Sequence, residues 1–353
     1  MITDRRTRLK PILESTGGIH LSAYLTNRHD LIDLKRQIGA ATDAAEGHLR
    51  DVMSAEDRRR LLEPLNALVH DARVFSGIRE NIGLFRTASS FRMISIPVPV
   101  EELCVVASSF HVKPLLKWLQ DDREFLIAGI DGAMAHLYFG SNQTLSRAAR
   151  LPLPMGARES AMVLDNWLRS QMRDGRPPLF LVGSEASDIH RALQYTEKFG
   201  RPIDLAFTEG SVPTIAALVR ARLGLLAVQE DLRTLREFKL AEQWNLIKKN
   251  IFEIGRAAVR GRVRKLMIAD GLRIFGKLDA RTGQLTLHPF ELDHEDDDVL
   301  DDLAQTVLRH GGDVLVANRQ VLPHGRPAVA IIETEPTRRS PWARPHHEER
   351  ERA

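Results

Sequence analysis

The chain has 353 residues, enough for two or three domains, because a single hydrophobic core usually stops growing well before this length. With 43% hydrophobic and 27% charged residues, its composition is that of an ordinary globular protein, which excludes an unusual compositional class. The net charge is only +3, but arginine predominates over lysine, and guanidinium groups bind phosphate oxygens bidentately, so an RNA or ribosome partner is favoured.

The cysteine content and the N-terminus bear on the cellular compartment. Cys104 lies in the apolar run "ELCVVASSF" and has no second cysteine to pair with, so we expect a reducing compartment. The N-terminal run "MITDRRTRLKPIL" has no continuous apolar stretch, and no segment reaches the ~18 uncharged apolar residues of a membrane span. A cytoplasmic protein with no membrane partner is therefore expected.

The first segment, residues 1–99, predicts an α+β domain with a helical hairpin. The run "IHLSAYLT" alternates like a strand, and apolar residues then recur every three or four positions over 31–52 and over 61–72, as in two helices. Ser54 before the second helix is typical of an N-cap. "IGLFRT" and "SFRMISIPV" supply further strands, and the Pro-bearing run "IPVPVEEL" marks the end of the domain near residue 99.

The second segment, residues 100–224, alternates strands with helices. "ELCVVASS", "FLIAGID", "AMAHLYFG", "PLFLVGS" and "IDLAF" are predicted strands, and Asp131-Gly132 is a tight turn that joins two of them. Helices are predicted at "KPLLKWLQ", around Trp167, over 187–198 and from about 213. This alternation indicates a mostly parallel or mixed sheet covered on both faces. The stretch "RLPLPMGARES", residues 150–160, is predicted as a loop.

The third segment, residues 225–335, predicts a smaller α/β sandwich. A long helical pattern runs through "EDLRTLREFKLAEQW" to Ala258, followed by the strands "RKLMIAD", "GDVLVAN" and "AVAIIE" and the helix "VLDDLAQTVLRH". The tail over 336–353 has no apolar periodicity and is predicted to be disordered. The predicted fold class is therefore α/β (α+β) in three domains.

Motifs for common cofactors are missing from the sequence. It has no P-loop, GxGxxG, HExxH or CxxC pattern, which disfavours a nucleotide-hydrolysing or zinc enzyme and predicts no cofactor. The acidic run "HEDDDVLDD" offers the carboxylates of Asp296, Asp298, Asp301 and Asp302 to a divalent metal. It enters a helix whose N-terminal dipole favours anions, so a solvated helix start is the preferred interpretation and no metal site is predicted.

Two basic clusters are candidate RNA-binding residues. The first cluster comprises Arg58, Arg59 and Arg60. It lies at a helix start, where cations oppose the dipole and a bound anion would compensate them. The second cluster comprises Arg256, Arg260, Arg262, Arg264 and Lys265. It follows a helix end, where cations are locally favourable, so helix electrostatics is an alternative to contact with RNA phosphates.

The run "ELCVVASSFHVKPLLKWLQDDREFLIAGIDGAMAHLYFGSNQTLSRAARLPLP" resembles the middle domain of the archaeo-eukaryotic class-I peptide release factors and of pelota. The matching landmarks are Phe110-His111, Leu115-Leu116, Ile130-Asp131-Gly132, and Gly140 with Asn142. Residues 17–335 follow the three-domain order of that family. "PVPVEEL", "SFHVKPLL" and "GRVRKLMIA" are similar to phrases of the bacterial release-factor-like family, in particular its third subgroup.

The resemblance implies an RNase-H-like middle domain and a third domain like the pelota C-terminus. It also implies partners: the ribosome, with its rRNA and tRNA site, and a translational GTPase. Two family functions do not carry over. Where release factors present a Gly-Gly-Gln tip, this chain has Gly156-Ala157-Arg158, whose arginine accepts no hydrogen bond and whose alanine restricts the backbone. Where decoding factors carry Asn-Ile-Lys-Ser, the hairpin reads "VMSAED".

The sequence therefore predicts a release-factor-like protein without a peptidyl-tRNA hydrolase tip and without catalytic residues. It would act in translation rescue, quality control or hibernation by occupying a tRNA-like site. In the loop, a plain connector is preferred over a phosphate contact by Arg158. One alternative is a metal-dependent RNase, which requires Asp131, Asp165 and Asp188 to converge. Another is a protein–protein adaptor, and the oligomeric state stays open.

Overall fold

The computed structural model describes residues 5–75, 77–171, 177–183, 185–195, 198, 200–289 and 297–333. The α-helices in this part of the chain are α1 (Arg5–Leu13), α2 (Leu31–Leu49), α3 (Ala55–His70), α4 (Lys113–Asp121), α5 (Ala157–Gln171), α6 (Ala186–Ala192), α7 (Val212–Gln243), α8 (Ile251–Val259) and α9 (Val299–Arg309). The strands are β1 (Thr16–Leu25), β2 (Asn81–Arg86), β3 (Phe91–Ile96), β4 (Leu103–Ser109), β5 (Phe125–Asp131), β6 (Met134–Gly140), β7 (Leu145–Pro152), β8 (Leu179–Val182), β9 (Ile247–Lys248), β10 (Val263–Ala269), β11 (Phe275–Leu278), β12 (Leu285–Leu287), β13 (Asp297–Asp298), β14 (Asp313–Ala317) and β15 (Ala328–Ile332). Several sheets with interleaved helices confirm the predicted mixed α/β class.

The chain divides into two compact units, each of which is made of two separate stretches of the sequence. Unit 1 comprises Asp121–Arg236 with the first residues of the chain up to Lys10. Unit 2 comprises Pro11–Gln120 with the residues from Glu237 onward. The tail predicted from residue 336 lies outside the described residues.

Unit 1 is built on a four-stranded sheet in the order β7-β6-β5-β8. β5 and β6 are antiparallel and turn at Asp131-Gly132, while β5 and β8 are parallel. Alternate residues of β5 pack against α5 and α6 on one face and against α7 on the other. The predicted hairpin and the predicted mixed sheet with both faces covered are thus confirmed.

Two stretches of unit 1 differ from their prediction. β7 is a strand at the sheet edge that includes the first residues of the predicted loop. Its exposed residues, such as Ser146, Arg147 and Arg150, break the apolar alternation by which a strand is recognised in sequence. "IDLAF" forms only an isolated bridge between Ile203 and Val182 rather than a strand.

α7 is one helix of 32 residues, longer than either of the two helices predicted there. By length and composition alone, the helical stretch Glu209–Gln243 could cross a membrane. The sequence search required an unbroken run of uncharged apolar residues, and it did not find this stretch because the stretch contains Arg220 and Arg222. Ile215 and Val219 are 0% exposed and belong to a core cluster of unit 1. One face of α7 is therefore part of that core.

Unit 2 contains an antiparallel sheet in the order β3-β2-β1-β4. The hairpin of α2 and α3 packs on one face of this sheet, in a cluster with alternate residues of β1. Ser54 caps α3 by accepting a hydrogen bond from the N–H of Asp57 at 3.1 Å. The strands, the helical hairpin and the N-cap predicted for the first segment are confirmed.

β4 holds the run that was predicted to open the middle domain, yet it pairs with β1. Cys104, in this strand, packs against the core under α2, and its thiol lies 3.2 Å from the carbonyl oxygen of Ala41. The predicted boundary near residue 99 thus precedes the last strand of the first sheet. Proline residues mark a break in the chain, but apolar periodicity cannot tell which sheet the next strand joins.

A second sheet of unit 2 has the order β14-β10-β15-β9, and a three-stranded sheet has the order β12-β11-β13. β10 and β14 are parallel, and α9 contacts both strands. The helical pattern predicted through Ala258 is interrupted, because α7 ends at Gln243 and α8 begins at Ile251. Asn245 has a φ of 55°, a left-handed conformation that ends a helix. The strands predicted in "RKLMIAD", "GDVLVAN" and "AVAIIE" are confirmed.

Candidate functional site

The loop that corresponds to the release-factor tip is a tight connector between β7 and α5. Only residues 153–156 separate the two elements. The N–H of Leu153 donates to the carbonyl of Ala133 at 2.7 Å, and the hydroxyl of Ser160 donates to the carbonyl of Pro154 at 3.0 Å. Both ends of the connector are therefore bonded to the body of unit 1.

Met155 of the connector and Arg158 just after it are exposed, whereas Leu153 is buried in the core of unit 1. Met155 is 102% exposed, and Arg158 is exposed in the first turn of α5. In the described part of the chain, the Arg158 side chain forms no hydrogen bond or ion pair. It offers donors only, and residues 150–160 include no side-chain amide of the kind that a Gly-Gly-Gln tip uses. A phosphate contact by Arg158 stays a prediction.

The first basic cluster lies on α3, with two of its arginines paired. Arg58 Nε lies 3.5 Å from Glu46 Oε1, and Arg60 donates to Glu56. Arg59 is exposed and has no partner among the described residues. The Arg60–Glu56 pair is exposed, and such pairs contribute only about 0–1 kcal/mol, so phosphate can replace the Glu56 carboxylate at little cost. RNA binding by this cluster stays a prediction.

The second basic cluster includes two consecutive residues of β10, Arg264 and Lys265. Both bind the carboxylate of Glu237, with Lys265 Nζ at 2.6 Å from Glu237 Oε2. Partial burial acts to raise the pKa of Glu237, but the hydrogen bonds and charges of Lys265 and Arg264 outweigh it, and the pKa is lowered. These two cations have a partner within unit 2.

The other members of the second cluster lie around the end of α8. Arg256 is in the last turn of α8 and Arg260 is its C-cap, where the helix dipole favours cations. Arg262 Nε donates to the carbonyl of Glu333 at 3.1 Å. Arg260 is exposed and forms no interaction within the described ranges. Helix electrostatics and partners within unit 2 therefore account for most members of this cluster without contact with RNA.

The acidic run was predicted to be a solvated helix start, and this prediction is wrong where the structure describes the run. Asp298 and Asp301 are both 0% exposed. Asp298 is the N-cap of α9 and accepts from the N–H of Leu300 at 3.2 Å. Asp302 is partly exposed, and Asp296 lies outside the described residues. The acidic run does lie at the start of α9, as predicted, but Asp298 and Asp301 are not solvated, because other parts of unit 2 cover their carboxylates.

The covering residues come from 109–113, the part of the phrase "SFHVKPLL" that leads into α4. Asp301 Oδ1 accepts from the N–H of Val112 at 2.9 Å and from the N–H of Lys113 at 2.6 Å. The amide of Gln305, one turn further along α9, donates to Asp301 at 2.9 Å and to the carbonyl of Phe110 at 2.6 Å. We call residues 109–113 with Asp298, Asp301 and Gln305 the joint.

Lys113 completes the joint with a buried ion pair. Its side chain is 7% exposed, and its ammonium donates to Asp298 and, at 2.7 Å, to the carbonyl of Leu272. A lysine in the first turn of a helix opposes the dipole, which is a signal in the sequence that an outside carboxylate compensates it. The sequence interpretation missed this signal, and with it the partnership between α4 and α9.

His111 lies in the joint between β1 and α9. Its N–H donates to Ser22 Oγ at 2.9 Å, and its carbonyl accepts from the Tyr24 hydroxyl at 2.6 Å. Burial lowers the pKa of the His111 imidazole to about 3, so the ring is neutral near pH 7. Burial also raises the pKa of Asp301, and loss of water around the carboxyl of Asp302, together with the charge of Asp301, raises the pKa of Asp302 to about 7. The joint holds elements together, since its side chains have almost no exposed surface for a substrate.

The carboxylates of the RNase alternative have separate surroundings in unit 1. Asp165 is buried and accepts from the N–H of Gln194 at 2.8 Å, whereas Asp188 is exposed and binds Arg191. Asp131 is exposed at the end of β5. Across the described ranges, no group of three or more His, Cys, Asp or Glu side chains could hold a metal ion.

Comparisons with known proteins find likeness among solved structures. No protein-family model matches the chain, and no curated protein matches it. Dom34 of S. cerevisiae, described as a translation termination-like factor that interacts with Hbs1, is 13% identical, with 75% of each chain covered and a TM-score of 0.44. Archaeal Pelota, in a model of its ribosome-bound state with ABCE1, is 9% identical over 95% of this chain and 96% of that chain, with a TM-score of 0.41. The archaeal translation termination factor aRF1 is 14% identical over 94% and 99%, with a TM-score of 0.25. A function for this chain therefore has to be argued from its own residues.

Proposed function

We propose that this protein is a ribosome-associated, release-factor-like factor that does not hydrolyse peptidyl-tRNA. It acts in translation rescue, quality control or hibernation by occupying a tRNA-like site. The proposal starts from the collinear phrases of the sequence, which run in the order of a release-factor-like chain from residue 17 to residue 335. A translational GTPase as second partner and a cytoplasmic location belong to the same proposal.

The connector is the observation that carries the proposal. A hydrolytic tip has to project far enough from its domain to reach an ester, and residues 153–156 form too short a segment for that. Both ends of the segment are bonded to unit 1, and its side chains include no amide to place a water molecule. We therefore propose that this part of unit 1 can contact the ribosome but cannot hydrolyse the ester.

Exposed arginines support binding to ribosomal RNA. Arg59, Arg158 and Arg260 are exposed and unpaired within the described residues. Contacts between guanidinium groups and phosphates depend strongly on salt and need no base sequence. Ribosome binding through such contacts weakens as salt is raised.

Co-sedimentation with ribosomes tests the proposal. The full chain is expected in the ribosomal pellet from growing or stressed cells at moderate salt, and to be released at high salt. Purified protein is expected to leave peptidyl-tRNA on programmed ribosomes intact, with a release factor as the positive control. Absence from the pellet in both extracts overturns the ribosomal assignment. Release of peptide overturns the non-hydrolytic one.

A further inference from the structure

The edge strand β7 has an irregular register that brings two arginines to one face of the unit 1 sheet. His136 of β6 pairs with Arg150, and Tyr138 pairs with Arg147, with a register shift after Leu137. In a regular strand, residues three apart point to opposite faces. Because the bulge inserts an extra residue, Arg147 and Arg150 both lie on the face that carries His136 and Tyr138.

The two guanidinium groups converge on one oxygen atom. Arg147 Nη1 lies 3.3 Å from Glu209 Oε1, and Arg150 donates to the same oxygen. His136 Nδ1 lies 3.4 Å from it. The side chains of Arg147, Arg150 and Glu209 are each about half exposed, at 49%, 48% and 50%. We call these four residues the arginine cluster; it holds two cations against one carboxylate.

His136 forms the inner wall of the arginine cluster. Its side chain is 10% exposed, and its Nδ1 is buried with no hydrogen-bond partner. The Phe207 ring backs the imidazole at 5.2 Å between ring centroids. Phe207 fits there because residue 129 is glycine, where a Cβ would lie 2.0 Å from the phenylalanine ring. Burial and the neighbouring Arg150 lower the pKa of His136, so the imidazole is neutral near pH 7 and carries one N–H.

We infer that the arginine cluster is a binding site for a phosphodiester group of an RNA backbone, and that Glu209 occupies this site in the free protein. A phosphate group has more acceptor oxygens than the one carboxylate oxygen that now receives both arginines, and guanidinium groups match it bidentately. Glu209 belongs to a 3-10 helix of three residues, and half of its side chain is in contact with solvent. A side-chain rotation is therefore enough to vacate the site.

The surroundings favour an RNA backbone over a nucleotide base. The arginines lie on an edge strand open to a long ligand, and Phe207, at 5% exposure, offers no face on which a base could stack. The contact is accordingly independent of base sequence. That the RNA is ribosomal rests on the proposed function, whereas the binding of a phosphate group rests on the arginine cluster alone.

Binding of a fluorescent single-stranded RNA oligonucleotide to matched variants tests the site. The double variant R147Q/R150Q is expected to bind about 10-fold more weakly and to lower the salt slope by about 0.7, the contribution of the one phosphate that the two arginines share. The control R169Q/R191Q removes the same charge from exposed positions of unit 1 and is expected to stay within about 2-fold of the parent chain.

The substitution E209Q is the sharper test, because it removes the internal competitor. It is expected to bind RNA about 3- to 10-fold more tightly than the parent chain. Its control is D188N, which frees Arg191 from an exposed ion pair outside the cluster. Thermal unfolding of each variant ensures that folded proteins are compared.

Three results would overturn the inference. In the first, R147Q/R150Q binds RNA as well as its control does, and in the second, E209Q binds no more tightly than D188N. In the third, inorganic phosphate alone fills the site at concentrations that leave RNA binding unchanged, which makes it a site for the free ion. Ribosome co-sedimentation is measured in parallel. If the protein co-sediments with ribosomes but the cluster variants bind RNA like their controls, the phosphate site is overturned and the proposed function stands. If the protein does not co-sediment but the cluster variants change RNA binding as expected, the phosphate site stands and the proposed function is overturned.

Discussion

The joint and the connector come from stretches that the sequence resemblance singled out, and they differ in the burial and the bonding of their side chains. In the joint, polar groups of 109–113 and of α9 are buried and bonded to one another. In the connector, Leu153 is buried and Met155 is exposed, and only the two ends are bonded to unit 1. The phrase "SFHVKPLL" therefore holds unit 2 together. A resemblance carried by such residues supports a shared fold, whereas shared chemistry has to be sought at the connector, where the sequence departs from the family.

The largest effect is expected from breaking the ion pair of the joint. D298A leaves the ammonium of Lys113 buried beside the Leu272 carbonyl alone, which costs about 3–5 kcal/mol in the free energy of unfolding. Denaturant unfolding measures this loss. The control D188N breaks an exposed pair with Arg191 and is expected to cost under about 1 kcal/mol. Equal losses in the two variants would mean that the joint does not stabilise unit 2 as described.

A smaller loss is expected from the amide of the joint. Q305A removes the donor to the carbonyl of Phe110 and to the carboxylate of Asp301, so two buried acceptors lose a partner. This costs about 1–3 kcal/mol in the free energy of unfolding. Hydrogen exchange of the α4 and α9 amides is expected to rise in the variant. Unchanged protection would contradict the contact between α9 and residues 109–110, which lead into α4.

Asp302 and the buried His111 make the stability of unit 2 dependent on pH. Because the pKa of Asp302 is raised to about 7, its folded-state carboxyl holds a proton that the unfolded chain releases, so the unfolding free energy rises as pH falls from about 8 to about 6.5. Below pH 6.5 the buried His111, with its pKa lowered to about 3, opposes the gain, because the unfolded imidazole protonates first. Thermal unfolding across this range shows the rise.

Substitution of Asp302 separates the two effects. D302N is expected to abolish the rise above pH 6.5 and to show a fall in stability below it, because the effect of His111 is then no longer offset by Asp302. A variant with the pH profile of the parent chain would show that Asp302 is not the titrating group.

The smallest effect is expected at the connector. A157G/R158Q recreates the Gly-Gly-Gln sequence at 156–158, and it lowers the free energy of unfolding by about 1 kcal/mol or less, since Arg158 is exposed and Ala157, at the start of α5, loses one partly buried methyl group. No peptide release is expected, because the bonded residues 153–156 cannot project. Release of peptide by this variant would show that only the side chains, and not the length, prevent hydrolysis.

Much of the fold is predictable because it depends on local patterns. The helical spacing of α2 and α3, the N-cap at Ser54 and the turn at Asp131-Gly132 are each set within a few residues. β7 was missed because its exposed arginines hide the strand pattern, and the sheet of β4 was missed because pairing with β1 joins distant parts of the chain.

The burial of the acidic run was not predictable from local patterns. Asp298 and Asp301 occupy positions at which a solvated carboxylate is the ordinary expectation, and their partners Val112 and Lys113 are far away in sequence. The arginine cluster depends on a β-bulge and on Glu209 from a separate element, so no spacing rule would have found it. In the basic clusters, the sequence identified cations but not the carboxylates that pair with them.

Ribosome binding and the absence of peptide release can be measured in a single pelleting experiment. Ribosomes that carry peptidyl-tRNA are mixed with the purified protein and pelleted, and the protein in the pellet and the free peptide in the supernatant are both quantified. We expect protein in the pellet that salt displaces, and peptide that stays esterified to its tRNA. Protein that remains in the supernatant, or peptide that is set free, would contradict it.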